Sequence, residues 1–173
     1  MKTDVHKLAL CAVLTALALA LSYLENLFPV ALLIPLPGIK LGLANIVTVF
    51  ALYYLGAFPA FAILVARCLL GAMFAGNASA LIFSIMGGVF AMLIMIALHR
   101  IRAFSIYGVS IAGAAGHNIG QVGAAIITLG STAPLAYLPF LLVVSIFTGA
   151  LTGFIAALLF SAMDKTNLIR SKE

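Results

Sequence analysis

The sequence predicts an all-α integral membrane protein with six transmembrane helices in a single domain, and three observations lead to this prediction. Of 173 residues, 65% are hydrophobic and 8% are charged, whereas a soluble domain carries about 25% charged residues. Apolar runs long enough to form helices follow one another along the whole chain. Tyrosine prefers the boundary between hydrocarbon and water, and the tyrosines fall at the ends of these runs, namely Tyr23, Tyr53, Tyr54, Tyr107 and Tyr137.

The spans are predicted where apolar runs lie between turn residues and charged residues. A helix needs about 20 residues to cross the hydrocarbon core, so the second span is short. The stretch 30–34, which lies among prolines, is too short to cross and belongs to the loop between the first two spans. The predicted spans cover residues 7–24, 40–55, 57–75, 78–98, 107–130 and 137–163.

The positions of the basic residues predict the orientation. The net charge is +5, but the basic residues form short clusters between apolar runs. This arrangement is typical of a topology signal, and nucleic acid is not predicted as a partner. With both termini in the cytoplasm, the inner segments carry seven of the nine Lys and Arg residues and the outer loops carry Lys40 alone. The seven are Lys2, Lys7, Arg100, Arg102, Lys165, Arg170 and Lys172. We therefore expect a multi-pass protein of the cytoplasmic membrane.

The first apolar run also resembles a secretory signal, because Lys2 and Lys7 precede it and Ala18-Leu19-Ala20 provides small residues for cleavage. The run continues past these residues to Leu24. Its removal would leave five spans and place one terminus on the wrong side of the charge pattern. A retained first span is therefore predicted.

Small residues at four-residue spacing form a ridge on the first span, which we call the alanine ridge and define as Ala12, Ala16 and Ala20. Helices associate in lipid through close backbone contact, because leucine gains little by leaving hydrocarbon for another leucine. The ridge is therefore a docking surface. It either packs inside its own bundle or receives a partner protein.

Arg67 is the most costly residue in the sequence. It lies about 12 Å deep, at 1.5 Å per residue from the outer end of span three, where insertion costs about 2.5 to 3.5 kcal/mol. Such a residue needs a partner or a water-filled cavity. Glu25 is the one carboxylate on the predicted outer side. Arg67 therefore either pairs with Glu25 or meets an anionic or carbonyl-bearing ligand in an outward cavity.

A second group of polar residues lies on span five. His117 and Asn118 lie four and three residues before Gln121, so Gln121 is next to both on the helix surface. These residues either form hydrogen bonds between helices or line a pocket. Asn45 and Lys40 on span two are candidates for the same pocket, so the predicted substrate-binding residues are Arg67, His117, Asn118, Gln121, Asn45, Lys40 and Glu25.

Motifs for most enzymatic chemistry are absent from the sequence. It contains no GxxxxGK[ST] phosphate loop, no HExxH and no Ser/His/Asp set, so catalytic residues and ATP hydrolysis are not predicted. Cys11 and Cys68 lie inside apolar runs without metal-ligand spacing, and we interpret them as small buried hydrophobes. No metal and no cofactor are predicted.

Four segments together resemble the Gx transporter family, also called heptaprenyl diphosphate synthase component I. They are Lys40-Leu41-Gly42-Leu43-Ala44-Asn45, Ala66-Arg67, Ser84-Ile85-Met86-Gly87-Gly88 and the stretch 116–121. That family is similar to the substrate-binding S components of energy-coupling factor (ECF) transporters, and the alanine ridge resembles the motif by which S components dock on the coupling protein. The resemblance implies a six-helix bundle with a vitamin-type pocket on the outer side and separate ATPase subunits.

The second name of the family implies a link to prenyl synthesis. Trans-prenyl synthases bind magnesium and diphosphate through DDxxD motifs, but the only aspartates here are Asp4 and Asp164, at opposite ends of the chain. The chain by itself therefore cannot form that site.

Three functions are open at this point. The leading hypothesis is a substrate-binding subunit for uptake of a small organic molecule, energised by a separate coupling protein and ATPases. The alternative is an accessory membrane subunit of a heptaprenyl or polyprenyl diphosphate synthase. The third is a membrane scaffold that binds no ligand.

Overall fold

The computed structural model describes residues 2–27, 42–76 and 78–165. Lys40 and the proline-rich loop before it lie outside these residues. The described residues form six α-helices, and a short 3₁₀ helix, Ala133–Tyr137, leads into the last of them. The α-helices are α1 (Lys2–Leu27), α2 (Leu43–Leu55), α3 (Ala57–Ala75), α4 (Ala78–His99), α5 (Ile106–Leu129) and α6 (Leu138–Lys165).

Consecutive helices run in opposite directions. The backbone N–H of Gly42, before α2, donates to Oε1 of Glu25 near the end of α1 at 2.6 Å, so the end of α1 meets the start of α2. Gly56 alone connects α2 to α3, with a φ of 95° that glycine adopts without steric cost. The remaining connections are also short. Helices joined by such connections must reverse direction.

The alternation gives the bundle two distinct ends. At one end the rings of Tyr53 on α2 and His99 on α4 have centroids 4.3 Å apart, and Phe160 on α6 stacks on Phe50 of α2 at 4.9 Å. We call this the basic end, because Lys7 of α1 and the exposed Arg100 and Arg102 between α4 and α5 are located there. The opposite end, where α1, α3 and α5 finish, is called the cavity end.

The outer surface of the bundle is apolar, as expected for a protein surrounded by lipid. Phe58, Phe74 and Phe147 are 86%, 80% and 72% exposed. Among the described residues, four stretches are long and apolar enough to cross a membrane: Val5–Glu25, Ala57–Phe74, Ser79–His99 and Ala133–Met163. The prediction of an all-α membrane bundle is confirmed, and the chain is a multi-pass membrane protein.

The six-span count and the cytoplasmic termini stay predictions, because two helices, α2 and α5, are not among these four stretches. Helix α2 has 13 residues, which span about 20 Å at 1.5 Å per residue, less than the roughly 30 Å of a hydrocarbon core. Helix α5 has 24 residues, but the polar side chains at positions 117, 118 and 121 lower its hydropathy. Both helices contribute to the polar interior of the bundle.

Glycines set the packing of α5 between α4 and α6, its two most extensive neighbours. A Cβ on Gly120 would overlap the carbonyl oxygen of Met86 and lie 2.8 Å from the Cα of Gly87. On the other side, a Cβ on Gly149 of α6 would lie 2.5 Å from the Cα of Ile111. Such close backbone contact is the main source of helix association in lipid. It fixes the position of the polar side chains on α5.

Candidate functional site

A cavity of about 90 Å³ lies at the cavity end of the bundle. Side chains from five helices, α1 to α5, line it. The polar or charged residues of its lining are Ser22, Glu25, Asn45, Arg67, Ser84, His117 and Gln121. Five of the seven residues predicted to bind substrate, namely Glu25, Asn45, Arg67, His117 and Gln121, thus come together. Water occupies about 30 Å³ per molecule in the liquid, so the cavity fits a small headgroup or a ring edge.

Arg67 of α3 is incompletely hydrogen-bonded in this cavity. Its Nη2 donates to Oδ1 of Asn45 on α2 at 3.4 Å, which is longer than a typical N–H···O bond of about 2.9 Å. The Nε of Arg67 is buried and has no hydrogen-bond partner among the described residues. An unsatisfied buried donor costs about 1 to 3 kcal/mol, and more for a charged group. The guanidinium therefore has donor capacity that an added acceptor would use.

Glu25 is held at the same cavity by the junction of α1 and α2. Its side chain is 6% exposed, and its Oε1 accepts the 2.6 Å hydrogen bond from the backbone N–H of Gly42. The carboxylate lines the same cavity as Arg67. The two alternatives stated for Arg67, a Glu25 partner and a ligand cavity, are therefore compatible, because one cavity contains both charged groups.

His117 and Gln121 of α5 reach the cavity because α4 carries glycine opposite them. A Cβ on Gly87 would lie 2.8 Å from Cε1 of His117 and 3.0 Å from Cγ of Gln121. A larger residue at position 87 would displace both side chains. The Ser84–Gly88 stretch therefore contributes both to the cavity wall, through Ser84, and to the space that the α5 side chains occupy.

Asn118 faces a different direction from its neighbours. Its Nδ2 donates to the carbonyl oxygen of Leu141 on α6 at 2.9 Å, and it does not line the 90 Å³ cavity. It borders a separate space of about 10 Å³ together with Asn45, His117, Thr148 and Thr152. That volume is about one water molecule. In this structure Asn118 forms the interhelical hydrogen bond that was the alternative to ligand contact.

Some residues that border the cavity or the smaller space beside it were not predicted from the sequence. Ser22 lies three residues before Glu25 and so shares its helix face. This spacing is visible in the sequence. Thr148 and Thr152 lie on α6 and donate their hydroxyls to carbonyls one turn earlier, at 3.3 and 2.8 Å. Nothing in the sequence relates them to α5, because that pairing depends on how α6 is rotated.

The alanine ridge lies on the outside of the bundle. Ala12, Ala16 and Ala20 are all exposed, whereas α1 packs against its neighbours through Leu14 and Ala18, which are 7% and 0% exposed. Packing within the bundle therefore does not account for the ridge.

Ala12 and Ala16 line an open apolar groove of about 410 Å³ between α1 and α3. Its opposite wall includes Ala62 and Ala66, a second pair at four-residue spacing. Thr15 lies in the groove, but its hydroxyl donates to the carbonyl of Cys11 at 2.7 Å. The groove therefore presents a smooth apolar surface, and Ala20 lies on the exposed ridge beyond it.

The described residues also limit the chemistry. They contain no group of three or more His, Cys, Asp or Glu side chains placed to hold a metal ion. Cys11 and Cys68 do not form a disulfide bond, and Cys68 is buried. Among the described residues, the cavity lining contains one carboxylate and one guanidinium together with amide, hydroxyl and imidazole groups, which can form hydrogen bonds with a small polar molecule.

The fold and the cavity define the class as a multi-pass helical membrane protein with a small polar chamber at one end of the bundle. The model of the family described as heptaprenyl diphosphate synthase component I matches residues 14–159. The chain therefore belongs to the heptaprenyl diphosphate synthase component I family, and the predicted resemblance is confirmed. The matched residues include all five predicted site residues that line the cavity. No curated protein and no solved structure matches the chain.

Proposed function

We propose that this protein is an accessory membrane subunit of a polyprenyl diphosphate synthase and that a separate protein supplies the catalytic site. The match to the component I family over residues 14–159 carries this proposal. The aspartate content agrees with a non-catalytic role, since Asp4 and Asp164 are the only two aspartates and lie at opposite ends of the sequence. An accessory subunit would hold substrate or product at the membrane.

The basic end is the surface that suits this role. Arg100 and Arg102 are exposed between α4 and α5, and arginine binds phosphate oxygens in a bidentate manner. A prenyl diphosphate has an apolar chain that dissolves in the bilayer and a polyanionic head that stays in water. The exposed arginines suit the polyanionic head, and the lipid-facing helices beside them suit the apolar chain.

The test is prenyl-chain elongation by a soluble catalytic partner in the presence and absence of the full-length protein in vesicles. We expect the protein to raise the rate of elongation or the length of the product. Arg102→Gln should lower that stimulation severalfold, because it removes a diphosphate contact. Lys7→Gln is the matched control, since it removes a positive charge at the same end from a different helix. Unchanged rate and product length on addition of the wild-type protein would contradict the proposal.

A second candidate is a substrate-binding subunit for uptake of a small organic molecule. The observation that favours it is the cavity, in which the buried Nε of Arg67 has no acceptor among the described residues. The exposed alanine ridge favours it as well, because such a ridge would dock on an ECF-type coupling protein. ATPases bound to that coupling protein would supply the energy. Orientation with both termini in the cytoplasm would place the cavity on the outer side.

The ridge gives a specific test of the second candidate. Ala16→Phe should abolish co-purification with a coupling protein while leaving ligand binding in the cavity unchanged, because position 16 is exposed and does not line the cavity. Leu17→Phe is the control, since Leu17 is exposed at 46% but lies off the ridge. Loss of both properties, or of neither, would count against docking through the ridge.

Native mass spectrometry of the purified protein separates both candidates from a ligand-free scaffold. A bound metabolite at one molecule per protein excludes the scaffold. A protein that carries no metabolite and also fails to change prenyl elongation would support it.

A further inference from the structure

We propose that the cavity of about 90 Å³ and the space of about 10 Å³ beside it, called the small space below, are two parts of one binding site. Its ligand is a small molecule with an oxygen acceptor at one end and a hydrogen-bond donor at the other. Arg67 binds the acceptor, and Thr148 and Thr152 bind the donor. This inference rests on the substrate-binding function given above as the second candidate. It adds the ligand class and two binding residues on α6, a helix that does not line the larger cavity.

The two spaces adjoin each other, because Gly42, Asn45 and His117 border both of them. Asn45 also contacts Arg67, since its Oδ1 lies 3.4 Å from Nη2 of the arginine. Only the asparagine side chain therefore separates Arg67 from the small space. A short molecule whose acceptor is bound at Arg67 can extend past Asn45.

Arg67 provides the donor end of the site. Its Nε is buried and has no hydrogen-bond partner among the described residues, which is an unfavourable state for a polar group. A carbonyl or carboxylate oxygen of a ligand in the larger cavity would supply the acceptor. Arginine is suited to such planar groups, because its N–H donors form a rigid fork.

The threonines of α6 provide the acceptor end. The hydroxyl of Thr148 donates to the carbonyl of Val144 at 3.3 Å, and that of Thr152 donates to the carbonyl of Thr148 at 2.8 Å. A hydroxyl has one donor and two lone pairs, so these bonds use the donors and leave the lone pairs for another partner. Both residues border the small space. The group that suits this end is therefore an O–H or N–H of the ligand.

The wall between the two spaces is weakly held. The Asn45 hydrogen bond to Arg67, at 3.4 Å, is longer than the typical 2.9 Å or so. A ligand oxygen bound to Arg67 replaces this bond, and the released amide can then turn to another rotamer. The small space, which has about the volume of one probe-sized water site, then joins the larger cavity and admits the donor end of the ligand.

Pairs of small molecules that match in size test this ligand class. Glycolamide and propionamide share an amide acceptor, but glycolamide carries a hydroxyl where propionamide carries a methyl group. A second pair, one carbon longer, repeats the comparison, and the corresponding carboxylates repeat it with the other type of acceptor. Thermal unfolding of the full-length protein in detergent is followed against the concentration of each probe at constant pH and ionic strength. The rise in unfolding temperature gives the apparent Kd.

We expect at least one hydroxyl probe to bind about fivefold more tightly than its methyl counterpart, which is roughly the contribution of one hydrogen bond. Combined Thr148→Val and Thr152→Val substitutions should remove this difference and leave binding of the methyl probe unchanged. Combined serine substitutions keep both hydroxyls and should keep the difference. Arg67→Met should abolish binding of every probe, because it removes the donor for their common acceptor.

Thr128→Val is the matched control for the threonine variants. The Thr128 hydroxyl also donates to a carbonyl one turn earlier, that of Ala124, at 2.8 Å, but Thr128 borders neither space. Its substitution should leave the preference for the hydroxyl probe unchanged. If the combined valine variant fails to fold, Thr148→Val and Thr152→Val are measured separately, and at least one of them should reduce the preference.

The remaining outcomes separate failure of the ligand class from failure of the function. Equal binding of hydroxyl and methyl probes to the wild-type protein, at both lengths and with both acceptors, would overturn the two-part site and leave a substrate-binding role intact. Equal weakening of both kinds of probe by the valine substitutions would also overturn it, since the threonines would then have only a structural role. No binding of any probe to the wild-type protein would overturn the two-part site and the cavity as a binding site together. A preference found only among the amides, or only among the carboxylates, supports the site and identifies its acceptor.

Discussion

Helices α5 and α1 carry the same kind of sequence pattern and use it differently. Both have small residues at four-residue spacing, Gly116 and Gly120 on α5 and the alanine ridge on α1. On α5 the glycines are buried against a neighbouring backbone, where a Cβ on Gly116 would lie 3.2 Å from the carbonyl oxygen of Phe90. On α1 the alanines are exposed. A small-residue pattern therefore predicts close approach without identifying what approaches.

The positions of the two helices explain the difference. Helix α5 lies between α4 and α6 and packs extensively on both, whereas α1 packs mainly on α2 and α3. A helix between two others buries opposite faces, while a helix at the edge of a bundle keeps one face free. The free face of α1 meets lipid or a partner, and the buried faces of α5 hold polar side chains in place.

The largest expected effect comes from filling a glycine on the buried helix. Gly120→Ala places a methyl group against the carbonyl of Met86 and within 2.8 Å of the Gly87 Cα, where backbone cannot yield easily. We expect the free energy of unfolding in detergent to fall by about 1 to 3 kcal/mol or more. Gly123→Ala is the matched control, because its Cβ would lie 3.8 Å from a methionine methyl and should have little effect. Equal losses in the two variants would contradict the packing described for α5.

A smaller effect is expected from the hydrogen bond between α5 and α6. Asn118→Ala removes the 2.9 Å contact to the carbonyl of Leu141, and such bonds in membrane bundles contribute about 0.6 to 2 kcal/mol. Unfolding in detergent measures the loss. Ile119→Ala is the control, since Ile119 is 39% exposed. If Asn118→Ala left stability unchanged but weakened ligand binding strongly, Asn118 would be a ligand contact after all.

The smallest effect on stability is expected on the exposed helix. Ala16→Phe, the variant that should prevent docking, adds a ring at an exposed position that borders the open groove between α1 and α3. Changes of this kind usually alter stability by less than about 0.5 kcal/mol, so its unfolding temperature should match that of the wild-type protein within about 2 °C. A large loss would show that the ridge packs within the bundle in the full-length protein.

Much of the fold was predictable because it depends on local properties of the chain. Apolar runs separated by turn residues and charged residues predict a succession of helices, and the described residues form six α-helices. The candidate site was predictable in part, since a costly arginine and a polar cluster are visible without coordinates. Asn118 could not be separated from His117 and Gln121, because its direction depends on the position of α6.

The sequence by itself determined that the protein is surrounded by lipid and that its helices alternate in direction. Its composition requires lipid around most of the surface, and its short connections require helices that alternate in direction. Only the tertiary structure decided that Glu25 joins Arg67 in one cavity, that Asn118 faces α6 and that the alanine ridge stays exposed. Each of these facts depends on the rotation of a helix about its axis and on neighbours distant in the chain, and local sequence contains neither.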